Sequence, residues 1–362
     1  MKNLKAVIAA ALGIAIMQPV CAKPPQAIVD AIRDRAVQAG FDGSILIGEQ
    51  DGSYAIVTTG ENPVAADAVW RWASITKQLA VIVAMQEVAA GRLDPEAAVS
   101  RYWPDWKAKN AASIRVRDLL LHNSGLPQPD ESTPDSDGVP AFYRSDAALP
   151  HISAEAFCAG TPRAAAPAEF EYNNCDAIVL AEILTKVTGK PFDTLVRERF
   201  ARKLRMKGFG MFGLGSPVHP HVQPIGEYAN VDPLLNMGVY GAAGGAYGTI
   251  ADLWKLDRAL LSGKLLPGKE RELMWDSKRE NGFHGFFQWI YPAPLMGCQA
   301  PVRIVERQGL IGGIELRNYL FPESGRGLIL FSRKRPTGLG DPWEGKGFAC
   351  DLLSAANCRT SS

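Results

Sequence analysis

Several things are scarce in this 362-residue chain, and each scarcity removes a class of function. Charge is nearly balanced: Lys and Arg number 39, Asp and Glu 38, for a formal net charge of +1. No run of Lys or Arg compensates, so the chain lacks the electrostatic footprint of a nucleic-acid binder. There is no Cys-x-x-Cys pair, no His-Glu-x-x-His and no clustered ligand set; His219-Pro220-His221 alone makes a poor metal site. No metal or other cofactor is expected. The absence of Gly-x-Ser-x-Gly disfavours a nucleophile-elbow hydrolase. The glycine-rich stretch Gly241–Gly248 is not followed by Lys-Ser/Thr, so it is not a phosphate loop, and close backbone packing explains it better. Beyond residue 22 no segment is long and apolar enough to span a membrane. Repeats and low-complexity tracts are missing too. Length and composition fit a globular protein with one large domain or two lobes.

What is present begins with a leader. Met1-Lys2-Asn3-Leu4-Lys5 is a short basic start, Ala6 to Val20 is mostly apolar, and Val20-Cys21-Ala22 offers small residues for cleavage. Gln18 and Pro19 interrupt the apolar stretch, which is too short for a transmembrane helix. Gln18-Pro19-Val20 lacks the leucine and small residues expected before a lipidated cysteine. Residues 1–22 therefore read as a signal peptide, and the protein as exported, either periplasmic or secreted. Losing Lys2 and Lys5 takes the formal charge from +1 to −1. Export permits disulfides. The mature chain keeps Cys158, Cys175, Cys298, Cys350 and Cys358, an odd number, so at least one has no partner within the chain. Cys350 and Cys358 fall in a stretch that looks helical; on a continuous helix they would be about 12 Å apart, too far to bond. The cysteines read as structural or inert.

The pattern predicts a helix from Ala27 to Gly40. Strands follow at Gly43–Glu49 and Ser53–Thr59, joined at Gln50-Asp51-Gly52. A helix opening at Ser74 is apolar on nearly every face and stops at Gly91, as expected of a helix sunk in a core. Val116–Leu121 and Asp176–Thr188 are further helices, the second closed by Gly189. Between them Pro127 to Pro150 is rich in Pro, Asp and Ser and acidic at Asp130, Glu131, Asp135 and Asp137, which reads as a solvated connector rather than a lid. A helix at Ile250–Leu261, strands at Val302–Arg307, Gly313–Phe321 and Gly327–Arg333, and a final helix over Trp343–Asn357 complete the chain. Strands at both ends with helices between predict an α+β fold (an α/β sandwich): an antiparallel sheet flanked by helices, with a mostly helical lobe inserted. Residues 23–362 would form one catalytic domain, its sheet lobe spanning approximately 25–70 and 240–358 and its helical lobe 74–239.

The most telling residues are Ser74-Ile75-Thr76-Lys77. A hydroxyl and an amine three positions apart on a helix start share a face and can touch. A serine is a poor nucleophile until a base takes its proton, and a lysine depressed by burial or other cations can assist. A helix start also presents free N–H groups to developing negative charge. Two further segments supply the rest of an acyl-transfer centre. In Tyr172-Asn173-Asn174, a tyrosine beside Lys77 would be partly deprotonated and serve as base for Ser74; Asn174 would donate its amide to a substrate carbonyl and order Lys77. In Arg307-Gln308-Gly309-Leu310, the cation would hold a carboxylate and Gly309 would let the substrate backbone lie close. The Leu310 N–H would join that of Ser74 in an oxyanion hole.

The order Ser-x-x-Lys, Tyr-x-Asn, cation-x-Gly resembles the β-lactamase-related serine hydrolases, a group taking in class C β-lactamases, D,D-peptidases of the penicillin-binding type, D-amino-acid peptidases and carboxylesterases. Trp70–Lys77, Val116–Leu126, Phe170–Asn174 and Gly241–Gly245 look like the family as well. The resemblance implies a two-lobe fold with the site in the cleft, an acyl-enzyme on Ser74 resolved by water, and no metal. Carried over, Ser74 is the nucleophile, Lys77 its proton partner, Tyr172 the base, and Asn174 and Arg307 substrate contacts; His122 belongs to a structural stretch. Arg307 departs from the usual lysine or histidine: it keeps charge for a carboxylate but cannot shuttle a proton. An exported hydrolase of amides or esters, of D,D-peptidase or esterase type, therefore ranks above a true class C-type β-lactamase. A catalytically weak penicillin-binding or cell-wall-peptide sensor is the alternative from another class. The expected partner is a small-molecule or peptide substrate carrying a carboxylate, and nothing in the sequence sets the oligomeric state.

Overall fold

A computed structural model describes residues 23–144, 153–213, 221–230, 234–277, 282–335 and 338–358. The leader assigned to residues 1–22, and His219-Pro220, lie outside the described residues. The first strands are β1 (Gly43–Gly48) and β2 (Tyr54–Thr59), and the last are β8 (Val302–Ile311), β9 (Ile314–Phe321) and β10 (Arg326–Ser332). β1 is buried along its whole length, so it needs a neighbour on either side. It pairs antiparallel with β2 and with β10, Gly43 lying opposite Ser332. The two ends of the chain thus close one sheet. With β6 (His284–Gly285) and β7 (Gln288–Ala293) its order is β2-β1-β10-β9-β8-β7-β6, antiparallel throughout.

The period of two along each strand splits the core. Ile45, Ile47, Leu328 and Leu330 face the Gln26–Gln38 and Phe348–Asn357 helices. Leu46, Ile329 and Phe331 face the opposite way, toward a larger core shared with the Thr76–Ala89, Asn174–Thr188 and Ile250–Leu261 helices. The fold is the mixed one expected, an antiparallel sheet flanked by helices. Each large side chain buried this way contributes about 1.5–3 kcal/mol. Thr76–Ala89 is the most enclosed helix: Leu79 to Met85 are inaccessible to solvent, which matches its all-round apolar sequence.

Several elements differ from expectation. β8 continues to Ile311 rather than stopping at Arg307, and turns into β9 at Gly312, where φ is +53°. The final helix begins only at Phe348, because Gly345 and Gly347 hold positive φ after a short 3-10 turn at Pro342–Glu344. β7, interrupted by Pro292, gives no alternating pattern and was not anticipated. Nor was the small second sheet, in which β5 (Ala246–Thr249) lies between β3 (Val69–Arg71) and β4 (Gly210–Met211). Gly241–Gly248 is thus a helical turn at Gly241–Gly244 and then a strand, not a simple turn. Its glycines do serve packing: a Cβ at Gly248 would lie 2.9 Å from the Trp72 ring. Two disulfides join Cys158 to Cys175 and Cys298 to Cys358, leaving Cys350 as the buried odd thiol.

Candidate active site

Ser74 lies in a 3-10 turn, Ala73–Ile75, that leads into the Thr76–Ala89 helix. Ala73 adopts φ +47°, a region L-residues seldom occupy, so the turn must be held from outside. β5 holds one side. The Trp72 N–H donates to the Ala246 carbonyl at 2.8 Å, and its indole N–H to that of Gly248 at 3.2 Å. The Thr76 hydroxyl donates to the Ala73 carbonyl (2.6 Å) and accepts the Ala246 N–H (3.1 Å). β8 holds the other side through Gly309. A Cβ there would sit 2.8 Å from the Trp72 carbonyl oxygen and 3.3 Å from the Ala73 methyl. Gly309 lines the cleft, but its missing side chain admits the serine turn, whereas the sequence reading had it admitting a substrate backbone.

Lys77, one helical turn on, and Tyr172, remote in sequence, meet at Ser74. Tyr172 Oη is 2.6 Å from Ser74 Oγ and 2.6 Å from Lys77 Nζ, and Lys77 Nζ is 3.4 Å from Ser74 Oγ. Lys77 is fully buried and also donates to Asn174 Oδ1 (2.6 Å) and the Ala243 carbonyl (2.9 Å). Burial depresses its ammonium below the usual lysine range and Arg307 adds to this, while Tyr172 opposes both. For Tyr172 burial works toward a higher pKa, yet the charges of Lys77 and Arg307 outweigh it and hold the phenol below its ordinary value. The result is a serine hydroxyl within hydrogen-bond reach of a tyrosine poised to accept a proton.

Arg307 shares a face of β8 with Gly309, two residues on, and so points toward the serine turn. Its Nε donates to the Ser74 carbonyl (2.9 Å), one terminal nitrogen to the Phe287 carbonyl (2.8 Å), and the other to Tyr172 Oη (3.0 Å). It is buried, with all three donor groups engaged around Tyr172 and the serine turn, although it still lines the cleft. Asn174 orders Lys77 as expected of its carbonyl. Its NH2 group, expected to reach a substrate carbonyl, instead donates to Tyr143 Oη (2.8 Å) and Asp130 Oδ1 (3.2 Å). Leu310, 43% exposed, lines the cleft beside Ser74.

The Tyr172 segment is fastened from several directions. Asn173 caps the Asn174–Thr188 helix by accepting the Cys175 N–H, and its own amide donates to the Leu126 carbonyl at 2.7 Å. The Cys158–Cys175 disulfide follows immediately. Behind the phenol lies His122, its ring centroid 4.8 Å from that of Tyr172 and Nδ1 2.7 Å from Asp176. Burial, then Lys77 and Arg307, keep His122 well below the ordinary histidine range, so it is a neutral packing partner.

The cleft measures about 660 Å³, and its remaining wall corrects the reading of Pro127–Pro150 as a solvated connector. Residues 145–150 lie outside the described residues, but 127–144 form an arm over the site, with Pro129, Val139 and Tyr143 buried. Gln128 fastens it, donating to the Tyr172 carbonyl (2.6 Å) and accepting the Asn174 N–H (3.2 Å). Tyr143 stacks on Tyr240 at 4.1 Å. The acidic residues that read as solvated are in part consumed, Asp135 and Asp137 pairing with Arg144 at 2.8 and 3.3 Å. Asp130 and Tyr143 are thus cleft residues that sequence reasoning missed. The acidity of the segment was visible, but the tyrosine pair that folds it inward is a tertiary contact.

Comparison with known proteins places the chain in a family. The Beta-lactamase family model matches residues 31–342, and the chain belongs to that family, serine hydrolases of the β-lactamase fold. A curated relative, the N-acetylmuramyl-L-alanine amidase of Bacillus subtilis (strain 168), is 29% identical over 203 residues, 49% of this chain and 44% of the relative. The chain thus spans less than half of that protein's length. Among solved structures, D-amino acid amidase from Ochrobactrum anthropi SV3, in complex with L-phenylalanine, superposes with a TM-score of 0.72 at 21% identity, covering 91% of this chain and 97% of that one. A penicillin binding protein from Bacillus halodurans gives 0.65 at 20% identity, covering 90% and 97%. At these identities the two structures speak to the fold.

Proposed function

We propose that this protein is an exported serine hydrolase that cleaves an amide or ester bond through an acyl-serine on Ser74, with peptidase or amidase chemistry ahead of esterase or true β-lactamase action. The observation that carries the reading is the meeting of Ser74 Oγ, Tyr172 Oη and Lys77 Nζ within 2.6–3.4 Å. Tyr172, its phenolate favoured by two cations, takes the Ser74 proton as Oγ attacks the substrate carbonyl. The oxyanion that forms is received by the N–H groups of Ser74 and Leu310. The amine or alcohol leaves with the proton returned by Tyr172, and Tyr172 then activates water against the acyl-serine. Lys77 moves no further than its hydrogen bonds; its charge holds the phenol low. Amide chemistry is favoured because the Bacillus subtilis relative is an amidase. Two disulfides suit a protein that folds outside the reducing cytosol.

The mature protein would be offered a fluorophosphonate and a penicillin, with mass spectrometry locating the adduct, then a D-Ala-D-Ala peptide, a nitrophenyl ester and a chromogenic cephalosporin. The expected result is an adduct on Ser74 and turnover of an amide or ester. Tyr172→Phe should slow adduct formation about 10²-fold or more; an unchanged rate removes Tyr172 from the mechanism. An adduct with no turnover of any substrate would favour the sensor.

A further inference from the structure

Asp130 is the one acidic side chain that both lines the cleft with Ser74 and, among the described residues, forms no ion pair there; the cleft's other carboxylate, Asp137, is paired with Arg144. Its position is fixed. Oδ1 accepts two hydrogen bonds, from Tyr143 Oη at 2.7 Å and from the Asn174 amide at 3.2 Å. Tyr143 is buried and stacked on Tyr240, and Asn174 is bound through its other end to Lys77, so neither donor is free to swing away. Oδ2 has no hydrogen-bond partner among the described residues. Residues 145–152, which follow the arm, contain no Lys or Arg to neutralise it. An oriented carboxylate with one open oxygen therefore stands one amide side chain away from Lys77, on the wall opposite β8.

Two roles fit such a group. The first is to balance the charge of Lys77 and Arg307 from a distance. Lys77 does feel the charge of Asp130, but it is the least of the influences on the ammonium. Lys77 spends its protons on Tyr172, Asn174 and Ala243, and Arg307 on Ser74, Phe287 and Tyr172, so neither cation bonds Asp130 and its Oδ2 stays open to a ligand. Of the cleft's other residues, Val139, Leu235 and Trp289 carry no charge, and Arg335 donates to the Gly312 carbonyl (3.4 Å) and forms no ion pair with Asp130 among the described residues. We infer that Asp130 is a specificity residue that binds a protonated amine of the substrate close to the scissile carbonyl, so that the preferred substrate is an amide or ester of an amino acid, or of a peptide, with its amino group free. This rests on the acyl-serine reading above and adds the chemical class of the acyl group. A charge-assisted N–H···O bond to an open carboxylate oxygen is the interaction such an ammonium would make, and acetylating the amine removes both the charge and two of its donors.

The test uses Ser74 labelling by a fluorophosphonate, with phenylalanine amide and N-acetylphenylalanine amide, of both hands, as competitors. For the unmodified protein the free-amine compound of at least one hand should protect Ser74 at a concentration tenfold or more below that needed by its acetylated form. In Asp130→Asn, which keeps the size and the hydrogen bonds from Tyr143 in reach, that ratio should fall tenfold or more. A thermal melt of D130N within a few degrees of the parent shows that the loss is not one of folding. Equal protection by both forms in the unmodified protein, or protection by neither, overturns the inference while leaving the acyl-serine intact. A ratio unchanged in D130N, with both competitors weakened together, assigns Asp130 to charge balance and overturns it as well. If Ser74 takes no label at all, the reading on which the inference rests has failed first.

Discussion

Replacing Arg307 with methionine tests the electrostatic core of the site. The Arg307 terminal nitrogen lies 3.0 Å from Tyr172 Oη, and its charge is one of two that hold the phenol below its ordinary pKa against the upward push of burial. An adjacent cation lowers an acid's pKa by about 1–3 units. Arg307→Met removes that share and leaves the share of Lys77, so the Tyr172 pKa should rise. A base works only when deprotonated, so the labelling rate climbs with pH through its pKa. A higher pKa moves the climb to higher pH. On the acidic side of that limb the variant should label Ser74 more slowly than the parent, by about tenfold or more, and the two should converge at high pH. The assay is fluorophosphonate labelling of Ser74 across pH, read by mass spectrometry. The Ser74 and Phe287 carbonyls each lose a donor, at about 1–3 kcal/mol apiece, so melting curves must accompany the profile. Arg307→Lys keeps the charge and should recover much of the shift. Slowing by one constant factor at every pH would refute the argument: Arg307 would then act by shaping the turn or by holding substrate.

Three further outcomes follow from the packing. Asp257 is buried among Gln78 and Asn318; burial, only partly offset by their hydrogen bonds, raises its pKa from 3.8 to about 7. An acid raised on folding lends stability that is present below pH 4 and lost as pH climbs to 7, so unfolding should cost about 2.5 kcal/mol less at pH 8 than at pH 5. Asp257→Asn, which mimics the protonated acid, should flatten that dependence in urea titrations, and parallel curves would count against it. Gly309→Ala brings a methyl to 2.8 Å from the Trp72 carbonyl oxygen, and should cut the labelling rate tenfold or more with a modest fall in melting temperature; labelling at the parent rate would show that the serine turn can yield. Removing the Cys158–Cys175 bridge with paired serines frees a 17-residue separation and should cost about 3 kcal/mol in urea, with slower Ser74 labelling because Tyr172 lies three residues from Cys175. A change below half a kcal/mol would place the helix start's rigidity elsewhere.

Much of this was legible in the sequence, for reasons that particular residues make clear. Ser74 and Lys77 are one helical turn apart, so their proximity is a local fact that spacing alone conveys. β1, β9 and β10 are apolar runs between glycine-bearing turns, and the helix at Ile250–Leu261 ends where its periodicity does. Arg307 was legible as a residue but not as a function. Two of its three partners are backbone carbonyls, at Ser74 and Phe287, and a carbonyl leaves no mark in composition. The same holds for Asn174, whose amide is taken by Tyr143 and Asp130 on a segment whose Pro, Asp and Ser content points to solvent. What turns that segment inward is the stacking of Tyr143 on Tyr240, two single aromatic residues nearly a hundred positions apart.

The arm of residues 127–144 divides labour in a way that bears on how such a protein diversifies. Gln128 rivets its root to the Tyr172 segment, while beyond Pro129 the arm reaches ligand space and meets the catalytic lysine only through Asn174, which Asp130 and Tyr143 hold. Substitutions past that rivet that spare Asp130 and Tyr143 can redraw what is admitted without disturbing the groups that make and break the bond. Selectivity here is a detachable trait, carried on a separate stretch of polypeptide from the chemistry it serves.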